Sequence, residues 1–325
     1  MSAAGGGVPL VPVRTPDRPG PGPTPEALLR ALDVVVHRRV EALLAGEYRS
    51  NSVGIGTELA QIRPYQPGDD VRRIDWNVTA RTREPHVRDQ VAERALVSWL
   101  ILDTSPSMCF GTAERRKADV AEGVALAVGH LTTRRGNRLG IVTFGDDHPV
   151  TLPPRQGRVG LMGLLASLRR EPQLDGAGAT SLGEGMARAG RLTHSRSLLF
   201  LVSDFRGPRD WKAAVLALAG RHDLIAVEIR DRREQELPNV GELLLVDPET
   251  GRHLRVDTGQ RTLRERFNAA ADAERAELAA ELRRCGVDHV VLWTEGDWLR
   301  SFAGYLRHRV TGPASGTQTV ARRSR

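Results

Sequence analysis

Continuous apolar runs alternate with helix-like segments from Leu96 to near the end of the chain. Runs that are almost entirely apolar, such as 96–102 and 197–202, favour strands covered on both faces, as in a parallel sheet. The alternation predicts an α/β fold with a doubly wound, mostly parallel sheet. We expect strands at 96–103, 138–145, 148–154, 197–205, 223–229 and 288–294, a hairpin over 242–256, and helices at 113–133, 159–168, 181–192, 211–219, 260–285 and 298–306.

The remaining sequence divides into three further segments. Residues 1–25 are rich in Gly and Pro and are predicted to form a disordered leader. Residues 26–95 comprise an amphipathic helix over 26–44 and a charged segment, and together they form an N-terminal extension to the α/β domain at 96–308. Residues 309–325 contain four Arg and no acid, which predicts a flexible basic tail.

Arginine and acidic residues alternate between Arg63 and Arg88, with six Arg against four acids. This near balance indicates ion pairs more than a nucleic-acid surface. Asp70 is expected to cap one short helix containing Val71, Ile74 and Val78. The segment is either a structural brace or a partner-binding surface, and the surface would consist of Arg63, Tyr65, Asp69, Asp70, Arg73, Asp75, Trp76 and Arg81.

Composition narrows the class of protein only slightly. The formal net charge is +7, and 45 of the 47 basic residues are Arg, because only Lys117 and Lys212 are Lys (47 − 2 = 45). The two cysteines, Cys109 and Cys285, are expected to be reduced thiols. No apolar stretch has the length of a membrane span, and we expect a cytoplasmic protein.

Oxygen-bearing side chains follow the apolar strands. Asp103, Ser105 and Ser107 come after the first strand of the α/β domain, Asp204 follows a later strand, and Thr180 precedes a helix. Ligands bind at the carboxyl ends of strands in open α/β sheets. Oxygen ligands without His or Cys suit Mg²⁺, or another divalent cation such as Mn²⁺ or Ca²⁺, better than zinc or iron.

The Asp-x-Ser-x-Ser pattern, with its later Thr and Asp, resembles the metal-ion-dependent adhesion site (MIDAS) of von Willebrand factor A domains. The resemblance implies direct metal contacts from Ser105, Ser107 and Thr180, and contacts mostly through water from Asp103 and Asp204. It leaves one coordination position for a partner's carboxylate. Phe205 stands where members of that family often have Gly.

A second resemblance covers most of residues 46–306. The sequences "RPYQPGDDVRRIDWNVTAR", "VAER", "DTSPSM", "DRREQELPNVG" and "DPETG" resemble an uncharacterised bacterial family, domain of unknown function fifty-eight. Its members are typically encoded beside MoxR-type AAA+ ATPases. The resemblance implies a non-enzymatic adaptor that binds such an ATPase or its client.

Other functions and simpler structural roles remain open. A metal-dependent hydrolase would need a general base, for which Glu184 is the candidate. A nucleic-acid-binding protein would use the Arg excess, although aromatic stacking platforms are lacking. Asp103 and Thr180 could each only cap a helix, and Asp204 could be an ordinary turn residue. For a metal site, we expect Asp103→Ala to abolish partner binding and to leave the fold intact, because its loop should lie at the surface.

Overall fold

The computed structural model describes residues 19–23, 58–91, 97–133, 137–146, 148–156, 181–247 and 250–311. Contacts divide the chain into two compact units, Glu41–Ala95 and the remainder, Met1–Val40 with Leu96–Arg325. The predicted helices at 26–44 and 159–168, Thr180, and the tail beyond residue 311 lie outside the described residues.

The smaller unit is built on two antiparallel strands. β1 (Glu58–Pro64) pairs with β2 (His86–Val91), with Arg63 opposite Val87. These strands are not predicted from the sequence, because neither has the alternation of apolar and polar residues by which strands are recognised. Val87 is buried and also forms a bridge with Ile74, so the connecting segment folds back onto the strand pair.

The helix predicted after Asp70 is two elements, so that prediction is wrong in detail. Asp70 caps only a 3₁₀ turn at Val71–Arg73, through the backbone N–H of Arg72. Ile74 is extended, and Asp75 then caps a separate helix, α1 (Trp76–Thr82), through the N–H groups of Asn77 and Val78. Two carboxylates five residues apart can each begin a helix, and the bridge made by Ile74 keeps them separate.

The larger unit contains a six-stranded sheet in the order β10-β7-β6-β3-β4-β5. All neighbours are parallel except the edge strand β5, which runs antiparallel to β4. The α/β fold with a mostly parallel sheet is therefore confirmed. The strands are β3 (Val97–Asp103), β4 (Arg138–Phe144), β5 (Thr151–Arg155), β6 (Leu198–Ser203), β7 (Asp223–Arg230) and β10 (Asp288–Trp293), and a separate hairpin comprises β8 (Glu242–Val246) and β9 (His253–Asp257).

Helices cover the sheet and bury its apolar runs. They are α2 (Lys117–Thr133), α3 (Leu182–Leu192), α4 (Lys212–Ala219), α5 (Arg261–Arg284) and α6 (Trp298–Thr311). Trp99 and Ile101 of β3 pack with Met186 of α3 and Val215 of α4 in one core cluster. Successive strand residues point to opposite faces, and every residue of β6 is buried, so both faces of the sheet are covered.

The chain order places a topological switch point between β3 and β6. From β3 the chain proceeds to β4 and β5 on one side, and then returns to β6 and β7 on the other. The loops after β3 and β6 therefore diverge and leave a crevice at the carboxyl edge of the sheet. This is the position where open α/β sheets bind ligands.

A short part of the predicted leader, residues 19–23, packs against α2 and α6 within the larger unit. The indole Nε1 of Trp298 donates a hydrogen bond to the Pro21 carbonyl oxygen at 2.9 Å. The adjacent Gly123 of α2 has no side chain, and a Cβ there would come within 2.8 Å of the Pro21 ring. Among the described residues, no helix combines the length and the apolar character needed to cross a bilayer.

Candidate metal site at the ends of β3 and β6

The site begins with the carboxylate at the end of β3. Asp103 is 6% exposed; its Oδ1 accepts from the Ser105 N–H at 2.9 Å and its Oδ2 accepts from the Ser203 hydroxyl at 2.6 Å. Burial, and then the charge of Asp204, raise the pKa of the Asp103 carboxyl to about 7. The expectation that this loop lies at the surface is wrong for Asp103, Ser105 and Ser107, which are all buried. The Asp103 carboxylate ties β3 to the end of β6.

The two serines lie on a 3₁₀ turn at Pro106–Cys109 and at the residue before it. Ser105 and Ser107 are buried, and their hydroxyl oxygens are 3.0 Å apart. The Ser107 hydroxyl is also hydrogen-bonded to Asp204. Hydroxyls from one turn therefore connect the carboxylate that ends β3 with the one that follows β6.

Asp204 is paired with a buried lysine that sequence reasoning missed. Lys117 is 0% exposed, and its Nζ donates to Asp204 Oδ2 at 2.5 Å and to Glu234 Oε1 at 2.6 Å. Burial acts to raise the pKa of Asp204, but Lys117 outweighs it and the pKa is lowered. The available signal was Lys117 itself, a lysine in a chain that otherwise uses almost only Arg.

Phe205 follows Asp204 with a left-handed backbone. Its φ is 57°, in the left-handed region that favours glycine. The Phe205 N–H donates to the Ser203 hydroxyl at 2.9 Å, and its ring packs edge-on against Trp211 with centroids 5.9 Å apart. These contacts hold the turn that directs Asp204 toward Ser107.

Asp231, also missed from the sequence, fastens the loop that leads from the serines to Lys117. Its carboxylate accepts from the Thr112 N–H at 2.8 Å and hydroxyl at 2.6 Å, and from the Thr294 hydroxyl at 2.7 Å. Asp231 also caps the 3₁₀ turn Arg232–Glu234, which carries the Glu234 carboxylate. The ends of β7 and β10 thus hold the loop after β3.

The third predicted loop is only partly described. Thr180 lies outside the described residues, and the next residue, Ser181, caps α3 through the Glu184 N–H. The Ser181 hydroxyl donates to Asp210 at 2.6 Å. The Glu184 side chain is exposed, and it is not among the described residues that line the cavity beside Asp103 and Asp204.

The residues present fit a hard divalent cation. Asp103, Asp204 and the hydroxyl-bearing Ser105 and Ser203 line a cavity of about 10 Å³, which is about enough for one water molecule. Within the described ranges, no three His, Cys, Asp or Glu side chains form a metal-binding group. Serine hydroxyls and water would therefore complete the coordination, as Mg²⁺ allows. Burial and the charge of Asp204 raise the pKa of Asp103, so a cation bound beside Asp103 would stabilise its ionised form.

Charged groups of the proposed partner surface are partly used within the smaller unit. Asp69 forms two hydrogen bonds with Arg63, at 2.7 and 2.8 Å, which lower the pKa of Asp69 to about 2. The buried Asp75 pairs with Arg88 at 2.7 Å, so this segment contains the ion pairs that its charge balance indicated. Tyr65 and Arg73 are half-buried, Asp70 and Arg81 are exposed, and Trp76 is 72% exposed.

A family model described as "Protein of unknown function DUF58" matches residues 61–277. The chain belongs to the DUF58 family. An uncharacterised protein of Mycobacterium tuberculosis is 37% identical over 294 residues, which cover 90% of this chain and 92% of that protein. An uncharacterised Mycobacterium avium protein is 32% identical over 169 residues, or 51% of this chain and 98% of the relative. The family resemblance seen in the sequence is confirmed.

Solved structures similar to this DUF58 protein include von Willebrand factor A domains. The conserved hypothetical protein BatB from Bacteroides thetaiotaomicron is 12% identical, with a TM-score of 0.41 over 67% of this chain and 100% of that chain. The SpRpn10 VWA domain is 14% identical, with a TM-score of 0.35, and the match covers 70% of this chain and 100% of that domain. Both TM-scores are below 0.5, so the fold is described from the strand order of the sheet in this protein.

Proposed function

We propose that this DUF58 protein is a non-enzymatic interaction module that binds an acidic side chain of a protein partner through a divalent metal ion. The observation that carries the proposal is the convergence of Asp103, Ser105, Ser107 and Asp204 at the switch point of the sheet. Mg²⁺ is the preferred ion, because all four side chains offer oxygen. Thr180 is the proposed further ligand.

A partner carboxylate suits the coordination that this site offers. Both oxygens of Asp103 accept hydrogen bonds from the protein, and Asp204 is bonded to Lys117 and to the Arg206 N–H. The serine hydroxyls are then the direct ligands, and they are fewer than the six oxygens that Mg²⁺ takes. A carboxylate from the partner would fill one of the remaining coordination positions. It would compensate positive charge and fix the orientation of the bound partner.

The proposed partner is a MoxR-type AAA+ ATPase or its client, as the family resemblance implies. The smaller unit offers a second contact, where Trp76 and Val71 are 72% and 61% exposed. Exposed tryptophan is enriched at the energetic centres of protein interfaces. The arginines Arg63 and Arg88 are each paired with a carboxylate, which favours a protein partner over a nucleic acid for this unit.

The test measures binding of the purified MoxR-type ATPase of the same organism, with Mg²⁺ and with a chelator. The variant Ser105→Ala/Ser107→Ala removes two proposed ligands and no charge, and we expect at least about a tenfold loss of affinity, similar to the effect of chelation. It is preferable to Asp103→Ala, which would leave the Ser203 hydroxyl and the Ser105 N–H without their acceptor.

Thr104→Val is the matched control. Thr104 lies between Asp103 and Ser105, but its hydroxyl donates to the Phe144 carbonyl at 2.9 Å rather than to the site. Thr104→Val should bind the ATPase with the same affinity as the unmodified protein. Equal affinity of the serine variant and the control, or equal affinity with and without Mg²⁺, would exclude a metal bridge.

A further inference from the structure

The charge on Lys117 is not required to hold a metal ion, yet it lies inside the proposed site. Its ammonium group is fully buried, lies 5.7 Å from the Phe110 ring centroid, and donates to Asp204 and Glu234. Taking such a charge out of water costs several kcal/mol unless good partners compensate it. Placing a fixed cation beside a site for a second cation therefore needs an explanation.

We infer that Lys117 is a resident cation that sets the charge of the metal site, so that the bound ion can still accept a partner's carboxylate. The inference rests on the proposed function. Hydrogen bonds lead from Asp103 to Asp204 through Ser105 and Ser107. Lys117 then joins Asp204 to Glu234. With all four ionised, the charges of these groups sum to −2, which one divalent ion neutralises.

Without Lys117, the same groups would carry −3, and the metal-loaded site would repel an incoming carboxylate. The nearby Arg206 does not supply the missing charge. Its guanidinium is directed to Glu274, at 3.2 Å, and to the Glu234 carbonyl oxygen, at 3.4 Å. Lys117 thus lowers the affinity of the site for the metal ion, but it makes the metal-loaded site selective for an anionic ligand. Glu234 partly neutralises Lys117 and so limits its effect on Asp204.

Calorimetric titration with Mn²⁺ alone, at pH 8, tests this on the full chain. Lys117→Met should bind Mn²⁺ at least about fivefold more tightly than the unmodified protein, because a repelling charge is removed. Glu234→Gln removes an attracting charge and should weaken binding at least about threefold. The double variant has the original sum of charges, and its dissociation constant should return to within about twofold of the unmodified value.

Thermal melts of each variant accompany the titrations. If Lys117→Met does not fold, Glu234→Gln and the double variant still decide the matter, because their expected order is fixed. Weaker or unchanged Mn²⁺ binding by folded Lys117→Met, or unchanged binding by Glu234→Gln, would overturn the role of Lys117 and leave the metal site standing. An unmodified protein that binds no Mn²⁺ would overturn both this inference and the proposed function.

Discussion

At the scale of single residues, Phe205 combines a backbone suited to glycine with a side chain that the core requires. It is one of two non-glycine residues in the described part of the chain with a positive φ. The strain costs on the order of 1–3 kcal/mol. The ring is 8% exposed and packs against Trp211 in the main core cluster. Packing therefore holds a turn that backbone preference alone would oppose.

Removing this ring separates the two effects. We expect Phe205→Ala to lower the free energy of unfolding by about 3 kcal/mol, from the cavity that it leaves. Phe205→Gly should be more stable than Phe205→Ala by about 1 kcal/mol, because Gly adopts a positive φ without strain. Chemical denaturation measures both values. The opposite order of the two variants would show that strain at this turn is negligible.

Asp231 provides a second prediction at the scale of one residue. Asp231→Asn keeps the shape of the side chain but places an amide NH₂ where one oxygen now accepts. That oxygen, Oδ2, receives hydrogen bonds from Thr112 and Thr294. We expect a loss of about 2–3 kcal/mol in unfolding free energy, measured with urea. Thr294→Val, which removes a single donor, is the milder comparison, and an equal loss in both would contradict this account.

At the scale of elements, β7 and β10 are joined by buried charges. Glu228 of β7 accepts from Arg230 at 2.6 Å and lies 2.8 Å from Nε2 of His289 in β10. Burial acts to raise the pKa of Glu228, but the hydrogen bond with His289 and the charge of Arg230 outweigh it, and the pKa is lowered. The folded protein therefore favours the ionised carboxylate between these strands.

The sign of the pH dependence follows from that lowered pKa. The stabilisation by Glu228 is fully present above its unfolded-state pKa, near 4.5, and is lost as the pH falls through the lower folded-state pKa. Glu228→Gln should therefore be less stable than the unmodified protein at pH 7, and the difference should narrow below pH 4.5. Urea midpoints between pH 3 and pH 7 measure this. A constant difference across that range would contradict the prediction.

At the scale of the whole molecule, ligand binding at the switch point should stabilise the larger unit. An ion that binds only the folded state, at 100 times its dissociation constant, adds about 2.7 kcal/mol. We expect Mg²⁺ to raise the melting temperature of the unmodified protein and of Thr104→Val. Ser105→Ala/Ser107→Ala should show a much smaller rise. An equal rise in all three proteins would indicate binding elsewhere.

The sequence was sufficient to predict the parts of the fold that depend on short-range patterns. Continuous apolar runs located β3 and β6, and the polar residues directly after them had to lie at the same sheet edge. Asp103 and Asp204 were found in this way. The partners of Lys117 could not be found, because they are 87 and 117 residues away in sequence, and only the packing of α2 brings them together. Apolar periodicity carries no information on such pairs.

In the smaller unit, too, contacts between residues distant in sequence decide features that local sequence patterns do not predict. Asp70 and Asp75 both have the chemistry of a helix cap, and local preference alone does not show that Ile74 interrupts the helix. The interruption depends on the bridge from Ile74 to Val87, a contact across the unit. The strands β1 and β2 were missed because neither sequence alternates between apolar and polar residues.

The scarcity of lysine gives this molecule a built-in chemical reporter. Lys212 is about half exposed, whereas Lys117 has no exposure, and the chain contains no other lysine. An amine-reactive reagent should therefore label Lys212 readily in the native protein and reach Lys117 only when the loops after β3 and β6 open. The ratio of the two labels, read by mass spectrometry of peptides, would report opening of the site without any introduced probe.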